Sequence, residues 1–252
     1  NDDGFGSIKI TKAHSRSLQR EDLAMFRTII FLGGCTGRKA CDQLTSQDVE
    51  RENVSNVIDL MKKLDSSQHL IAASTSAVAE GTISATEDST VHSNLLDSYS
   101  LSMFKREIRL REFVSHDQSG ALPQISLLRF GTVVGNSPSQ RTDLMIPSFF
   151  RSAYTTGRLQ ITGHNTMRSF LTLKDLSDAF VSLISKTNDA ASTPASTTAR
   201  YHYNVWNLAS FDSTIFKVAA TVSSLTGAHI DSNPKTTSIT ISETIPLINV
   251  TD

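Results

Sequence analysis

Three apolar runs end in residues small enough, or hydroxylic enough, to bring a ligand against the backbone: Gly33-Gly34, Ser74-Thr75-Ser76 and Gly131-Thr132. In open α/β sheets, ligands bind at the carboxyl ends of strands. A residue without a bulky side chain lets them approach closely there. The same residues equally suit tight packing of strand against helix. Cys35 and Cys41 lie close in GCTGRKAC, but the spacing is not CxxC and two ligands are too few for a metal site. They read as structural or free thiols, and no metal is expected. His164 and His202 stand alone in polar contexts and take no role.

The runs that carry these ends are RTIIFLGG (27–34), HLIAASTS (69–76) and ISLLRF (125–130). Each is a continuous apolar stretch of the length of a strand buried on both faces. Helical patterns lie between them. Thr45 and Asp48 form a capping box, and the helix it opens carries Val54, Val57, Ile58 and Met61 on one face. A second helix is expected from about Tyr99 to Phe113. Strand and helix alternate, which gives an α/β doubly wound parallel sheet. Later helices are expected near 143–156, 175–186 and 213–226, the last stopped by Gly227. Residues 188–200, NDAASTPASTTAR, read as a mobile loop, and Asp175 as a helix cap.

The chain of 252 residues carries 24 Lys and Arg against 25 Asp and Glu, a formal net charge of −1. That gives no electrostatic footprint for nucleic acid. No apolar run approaches the roughly 18–20 residues that span a bilayer, and NDDGFGSIKI lacks the basic start and apolar stretch of a secretory signal. A soluble protein of a reducing compartment, such as the cytoplasm or an organelle matrix, is expected, although a leader cleaved earlier leaves no trace. Asn53 and Asn249 match the glycosylation pattern, which is common by chance.

Six pieces in order resemble the extended short-chain dehydrogenase/reductases, in the branch of NAD-dependent nucleotide-sugar epimerases and dehydratases. They are IIFLGGCTGRKACDQ, Glu52-Asn53-Val54 with AASTSAV, Tyr99 with Glu107, LLRFGTVVG, SPSQRTDLMIPSF with GHNTMRSFLTLKDLSDAF, and YNVWNLAS. The resemblance covers about residues 21–227. It implies a Rossmann-like dinucleotide-binding part over 1–136, with its N-terminal strands missing. It implies a smaller C-terminal α/β substrate-binding part over 137–252, of which 170–210 partly returns to the Rossmann core. By resemblance Tyr99 is the general acid/base of hydride transfer, assisted by Thr75, with Asn53 also catalytic. NAD or NADP would lie against Gly33, Gly34, Thr36, Ser74, Tyr99, Phe130 and Thr132. A nucleotide-sugar diphosphate would meet Arg168 and Arg141. Relatives often dimerise through the helices of the Tyr99 and 45–63 segments, so a homodimer or a subunit of a larger assembly is expected.

Four departures point away from full activity. The family places a lysine four residues after the tyrosine, and Met103 stands there. Lys105 is rotated by roughly 200° around the helix and faces away. The family's opening GxxGxxG is not in this sequence, so residues 27–34 match what is normally the fourth strand. Ala79-Glu80 replaces a Tyr-Gly pair, and Pro147 replaces an asparagine that contacts substrate. An unperturbed tyrosine has a pKa near 10, and without the lysine Tyr99 should be a poor base. Two functions follow: an epimerase- or dehydratase-like enzyme with a degraded site, or a non-catalytic structural or cofactor-sensing subunit. A basic patch for RNA is lacking.

Overall fold

The computed structural model describes residues 15–79, 85–117, 122–192 and 203–232. The strands are β1 (Thr28–Phe31), β2 (His69–Thr75), β3 (Gln124–Phe130), β4 (Thr132–Val134), β5 (Arg158–Ile161), β6 (Met167–Thr172), β7 (Tyr203–Leu208), β8 (Phe211–Thr214) and β9 (His229–Ser232). The helices are α1 (Arg20–Leu23), α2 (Arg38–Asp42), α3 (Ser46–Glu50), α4 (Asn56–Met61), α5 (Ser98–His116), α6 (Met145–Thr156), α7 (Leu173–Ser192) and α8 (Ile215–Thr226).

The main sheet is parallel, in the order β1-β2-β3-β7. Its strands read as unbroken apolar runs because helices cover both faces. Leu70, Ala72, Ile125 and Leu127 pack on one side with Val57, Met61 and Leu110 of α4 and α5. Ile71 and Leu128 pack on the other with Ala179 of α7. This is the doubly wound, Rossmann-like arrangement expected. β1 is an edge strand among the described residues, and Ile30 and Leu32 near it are exposed.

Local chemistry sets the helix ends. The Thr45 hydroxyl accepts from the Asp48 N–H at 3.1 Å and opens α3. A π turn at Arg51–Ser55 joins α3 to α4, and it turns both Asn53 and Val54 inward. Asp97 caps α5 through the Ser100 N–H at 2.8 Å. The cap of α7 is Thr172 rather than Asp175: its hydroxyl accepts from the Asp175 N–H at 3.1 Å. The Asp175 carboxylate accepts in turn from the hydroxyls of Thr172 and Ser210. α7 runs on to Ser192, so the expected loop at 188–200 begins as helix; residues 193–200 lie outside the described residues. α8 stops at Gly227, which has the left-handed φ of 74°.

Beyond the main sheet, β5 and β9 pair in parallel. Leu159, Ile161, Ala153 of α6 and Val222 of α8 close a second core there. β6 lies between β4 and β8 in a three-stranded sheet. Gly131, between β3 and β4, is where these parts converge. Its N–H donates to the Leu208 carbonyl at 2.9 Å. A Cβ added there would lie 3.0 Å from the Ser169 carbonyl oxygen.

Two buried arginines tie helix α5 to the sheet. Arg129 of β3 grips Glu107 of α5 with three hydrogen bonds, 3.0 Å from Nε to Oε1, 3.3 Å from Nε to Oε2 and 2.7 Å from Nη2 to Oε2. Ser74 of β2 donates to the same carboxylate at 2.6 Å. Arg106 donates to the carbonyls of Ala73 at 2.7 Å and Gly33 at 3.0 Å, and to that of Asn53. Its guanidinium lies 5.3 Å from the Phe31 ring centre. Burial draws the Arg106 pKa down to about 10.

Candidate active site

A cleft of about 610 Å³ opens at the carboxyl ends of β2 and β3. Its lining includes Thr36 from the loop after β1, Ser74 and Thr75 from β2, Tyr99 from α5, and Phe130 and Thr132 around the end of β3. Arg141, Asp143 and Arg168 line it too. Tyr99 arrives here because Asp97 caps α5 two residues earlier and sets the first turn beside the end of β2. Thr75 lines the cleft beside it. Burial raises the Tyr99 pKa above its ordinary value, and the nearby Cys41 adds to this. Thr75, Arg106 and Arg141 pull the other way without reversing it.

No protein-family model matches the chain, and no curated protein does. Solved structures do. MoeE5 in complex with UDP-glucose and NAD superposes with a TM-score of 0.72 at 21% identity, over 97% of this chain and 78% of that one. TunA, an NAD-dependent NDP-hexosamine 5,6-dehydratase of tunicamycin biosynthesis, gives 0.71 at 21% identity, over 94% and 74%. RMD from Pseudomonas aeruginosa, complexed with NADPH, gives 0.64 at 16% identity, over 89% and 76%. The chain has the fold of the extended short-chain dehydrogenase/reductases.

In this short-chain dehydrogenase/reductase fold, Met103 sits one turn past Tyr99 and is buried, with 4% of its surface exposed. Lys105 pairs with Glu50 of α3 at 3.3 Å, on an exposed face. The side chain one turn past Tyr99 is therefore apolar, and the nearest lysine on the helix points to solvent.

Three residues expected at the site do not line the cleft. Asn53 is wholly buried beneath it. Its Oδ1 accepts from the Cys35 N–H at 2.7 Å, and its Nδ2 donates to the Cys35 carbonyl at 3.2 Å and the Ser102 hydroxyl at 2.7 Å. It positions the loop after β1, and its burial also takes it out of reach of glycosylation; Asn249 lies outside the described residues. Gly33 and Gly34 lie beside Arg106 and Asn53 and not on the lining of the cleft. The Gly33 carbonyl accepts from Arg106, and a Cβ at Gly34, where φ is 135°, would fall 2.5 Å from Asn53 Oδ1.

Arg141 and Arg168 differ. Arg141 forks onto Asp143 at 3.1 and 2.6 Å, which fixes it over Gly37. Arg168, exposed on β6, makes no ion pair among the described residues. It is the cation left available to an anionic ligand. Among the described residues no cluster of three or more His, Cys, Asp or Glu could hold a metal, and no helix is long and apolar enough to cross a membrane. Sequence reasoning passed over Arg106 and Arg129. A charged residue inside the apolar run LLRF was the available signal for Arg129.

Proposed function

We propose that the cleft binds a nicotinamide dinucleotide, NAD or NADP, against a nucleotide-sugar diphosphate, as an epimerase- or dehydratase-like protein whose proton-transfer site is weakened. The observation that carries this reading is that Tyr99, Thr75 and Arg168, which makes no ion pair among the described residues, line one cleft in this fold. The neighbours' printed complexes with UDP-glucose, NAD and NADPH support the ligand classes.

The residues fit the nicotinamide end of such a cofactor. Thr132 and Phe130 give it a wall, and Tyr99 and Thr75 present hydroxyls. They fit the ribose less well, since Met103 offers no cation and no hydrogen-bond donor. When bound, a nicotinamide supplies the hydride acceptor and donor. Tyr99 would take the proton of a sugar hydroxyl at its Oη, with Thr75 orienting that hydroxyl. Arg168 would hold the diphosphate by charge-assisted hydrogen bonds. The raised Tyr99 pKa leaves little phenolate at neutral pH, so proton removal is slow.

The buried Met103 favours a second reading, a subunit that holds the dinucleotide for structure or sensing without turnover. Calorimetry with NAD(H), NADP(H) and UDP-glucose on the full protein tests both. Binding of a dinucleotide with sugar turnover supports the weakened enzyme. Binding without turnover supports the sensing subunit. Absence of any dinucleotide binding overturns both.

A further inference from the structure

The loop after β1 carries a pair of thiols that the hydride chemistry does not use. Cys35 and Cys41 are free, with their sulfurs 3.2 Å apart. Cys35 is half-buried and Cys41 is almost fully enclosed. The chain folds back between them because Gly37, with φ of 90°, starts α2 in a conformation that side chains avoid. The Cys41 sulfur thereby lies 3.7 Å from the Cys35 carbonyl oxygen. Both ends of this turn are held. Asn53 clamps the Cys35 backbone at its N–H and its carbonyl. Arg38 pairs with Asp97 at 2.6 Å, and the Ser98 hydroxyl donates to Asp42, so α2 is fixed to the start of α5.

We propose that Cys35 and Cys41 form an oxidisable dithiol, a modification site for hydroperoxides in the turn that borders the cleft. The sulfurs need to close from 3.2 Å to a bond of about 2.0 Å, a movement that side-chain rotation and a small shift of α2 supply. Cys35, the more accessible sulfur, loses its proton and attacks the O–O bond of the peroxide. One oxygen leaves as hydroxide and becomes water on taking up a proton, and Cys35 becomes a sulfenic acid. The Cys41 sulfur then displaces the sulfenic hydroxyl, and its proton completes the second water. Two thiols and one hydrogen peroxide give one disulfide and two waters. Burial, followed by contact with Cys35, raises the Cys41 pKa to about 12. Cys41 is thus the resolving partner and not the first to react. The bond would lock the turn that carries Thr36 and Gly37, both of which line the cleft.

The chain has only these two cysteines, and Arg38 and Lys39 lie between them. After hydrogen peroxide, blocking of free thiols and trypsin digestion, a Cys35–Cys41 bond joins peptide 28–38 to peptide 40–51. The expected result is this linked pair from monomeric protein, lost on reduction, with both thiols disappearing together. In Cys41→Ala, Cys35 should stop at the sulfenic acid and be trapped by dimedone. Two separately blocked peptides after peroxide, or a bond found only between chains, overturns the proposal. The wild-type experiment decides it even where Cys41→Ala fails to fold.

Discussion

Lys105 meets Glu50 across 3.3 Å on the solvent side of α5, while Tyr99 of the same helix faces the cleft. Two residues of helix separate Lys105 from the position at which its charge would act on the phenol. The cleft therefore has the Tyr99 phenol and the Thr75 hydroxyl on its lining, with a buried methionine and not a cation one turn past the tyrosine.

Restoring the cation should retune the phenol. In Met103→Lys the ammonium stands one turn from Tyr99 and lowers its pKa by roughly 1–2 units, as an opposite charge at short range does. Tyrosine Cζ resonances followed against pH, with Tyr99→Phe to assign the signal, read this directly. An unchanged Tyr99 titration in a folded variant would show that Met103 does not face the phenol. The lysine amine enters a buried position, so the melting temperature should fall.

The Glu107–Arg129 pair should be costly to break from one side. Both side chains are buried, 1% and 2% exposed, so Glu107→Gln leaves a guanidinium without its counter-charge. A loss of about 3–5 kcal/mol in urea unfolding is expected. The double variant Glu107→Leu with Arg129→Met should lose less than the two single changes added together, because it removes the stranded charge.

Stability should depend on His69 in mildly acidic solution. Its ring is enclosed, Nε2 lies 2.9 Å from the Ser126 hydroxyl, and burial depresses its pKa to about 4. The unfolded chain binds this proton near pH 6.5 and the folded one only near 4. The unfolded state therefore holds more protons in that window, and stability falls as pH drops through it. The contribution is present above pH 6.5 and amounts to about 3 kcal/mol when fully lost. Denaturant midpoints for wild type and His69→Gln between pH 7 and 4 should converge as the pH falls.

Arg168 should matter to a ligand and not to the fold. Arg168→Ala removes one charge-assisted contact with a diphosphate, worth about 1.5 kcal/mol or roughly tenfold in affinity for UDP. Its melting temperature should stay within a degree or so of wild type. A fall in stability with unchanged UDP binding would assign Arg168 to structure instead.

The parallel sheet was legible because its strands are buried on both sides and so are written as unbroken apolar runs. The hydroxylic ends of β2 and β3 pointed to the cleft for the same reason. Thr45 and Gly227 gave their helix ends by local bonding alone. Asn53 was not legible as a clamp: its partners on the Cys35 backbone are eighteen positions away, and a family role hid its burial. Arg106 looks like an ordinary surface charge on α5, since sequence periodicity does not say what a charged residue meets, and Glu107 was marked only by its spacing from Tyr99. The pairing of β5 with β9 joins segments 73 positions apart at Arg158 and Asp231, which no local pattern encodes.

Gly131 gives the cleft its mechanical character. Its N–H is bound to Leu208, and its α-carbon lies against the Ser169 carbonyl, with no room for a methyl group between. The strands on either side thus meet through main chain, and no side chain there can swing aside as a cushion. Such a joint leaves no slack at that point, so the two strands that flank it can part only by breaking a main-chain bond.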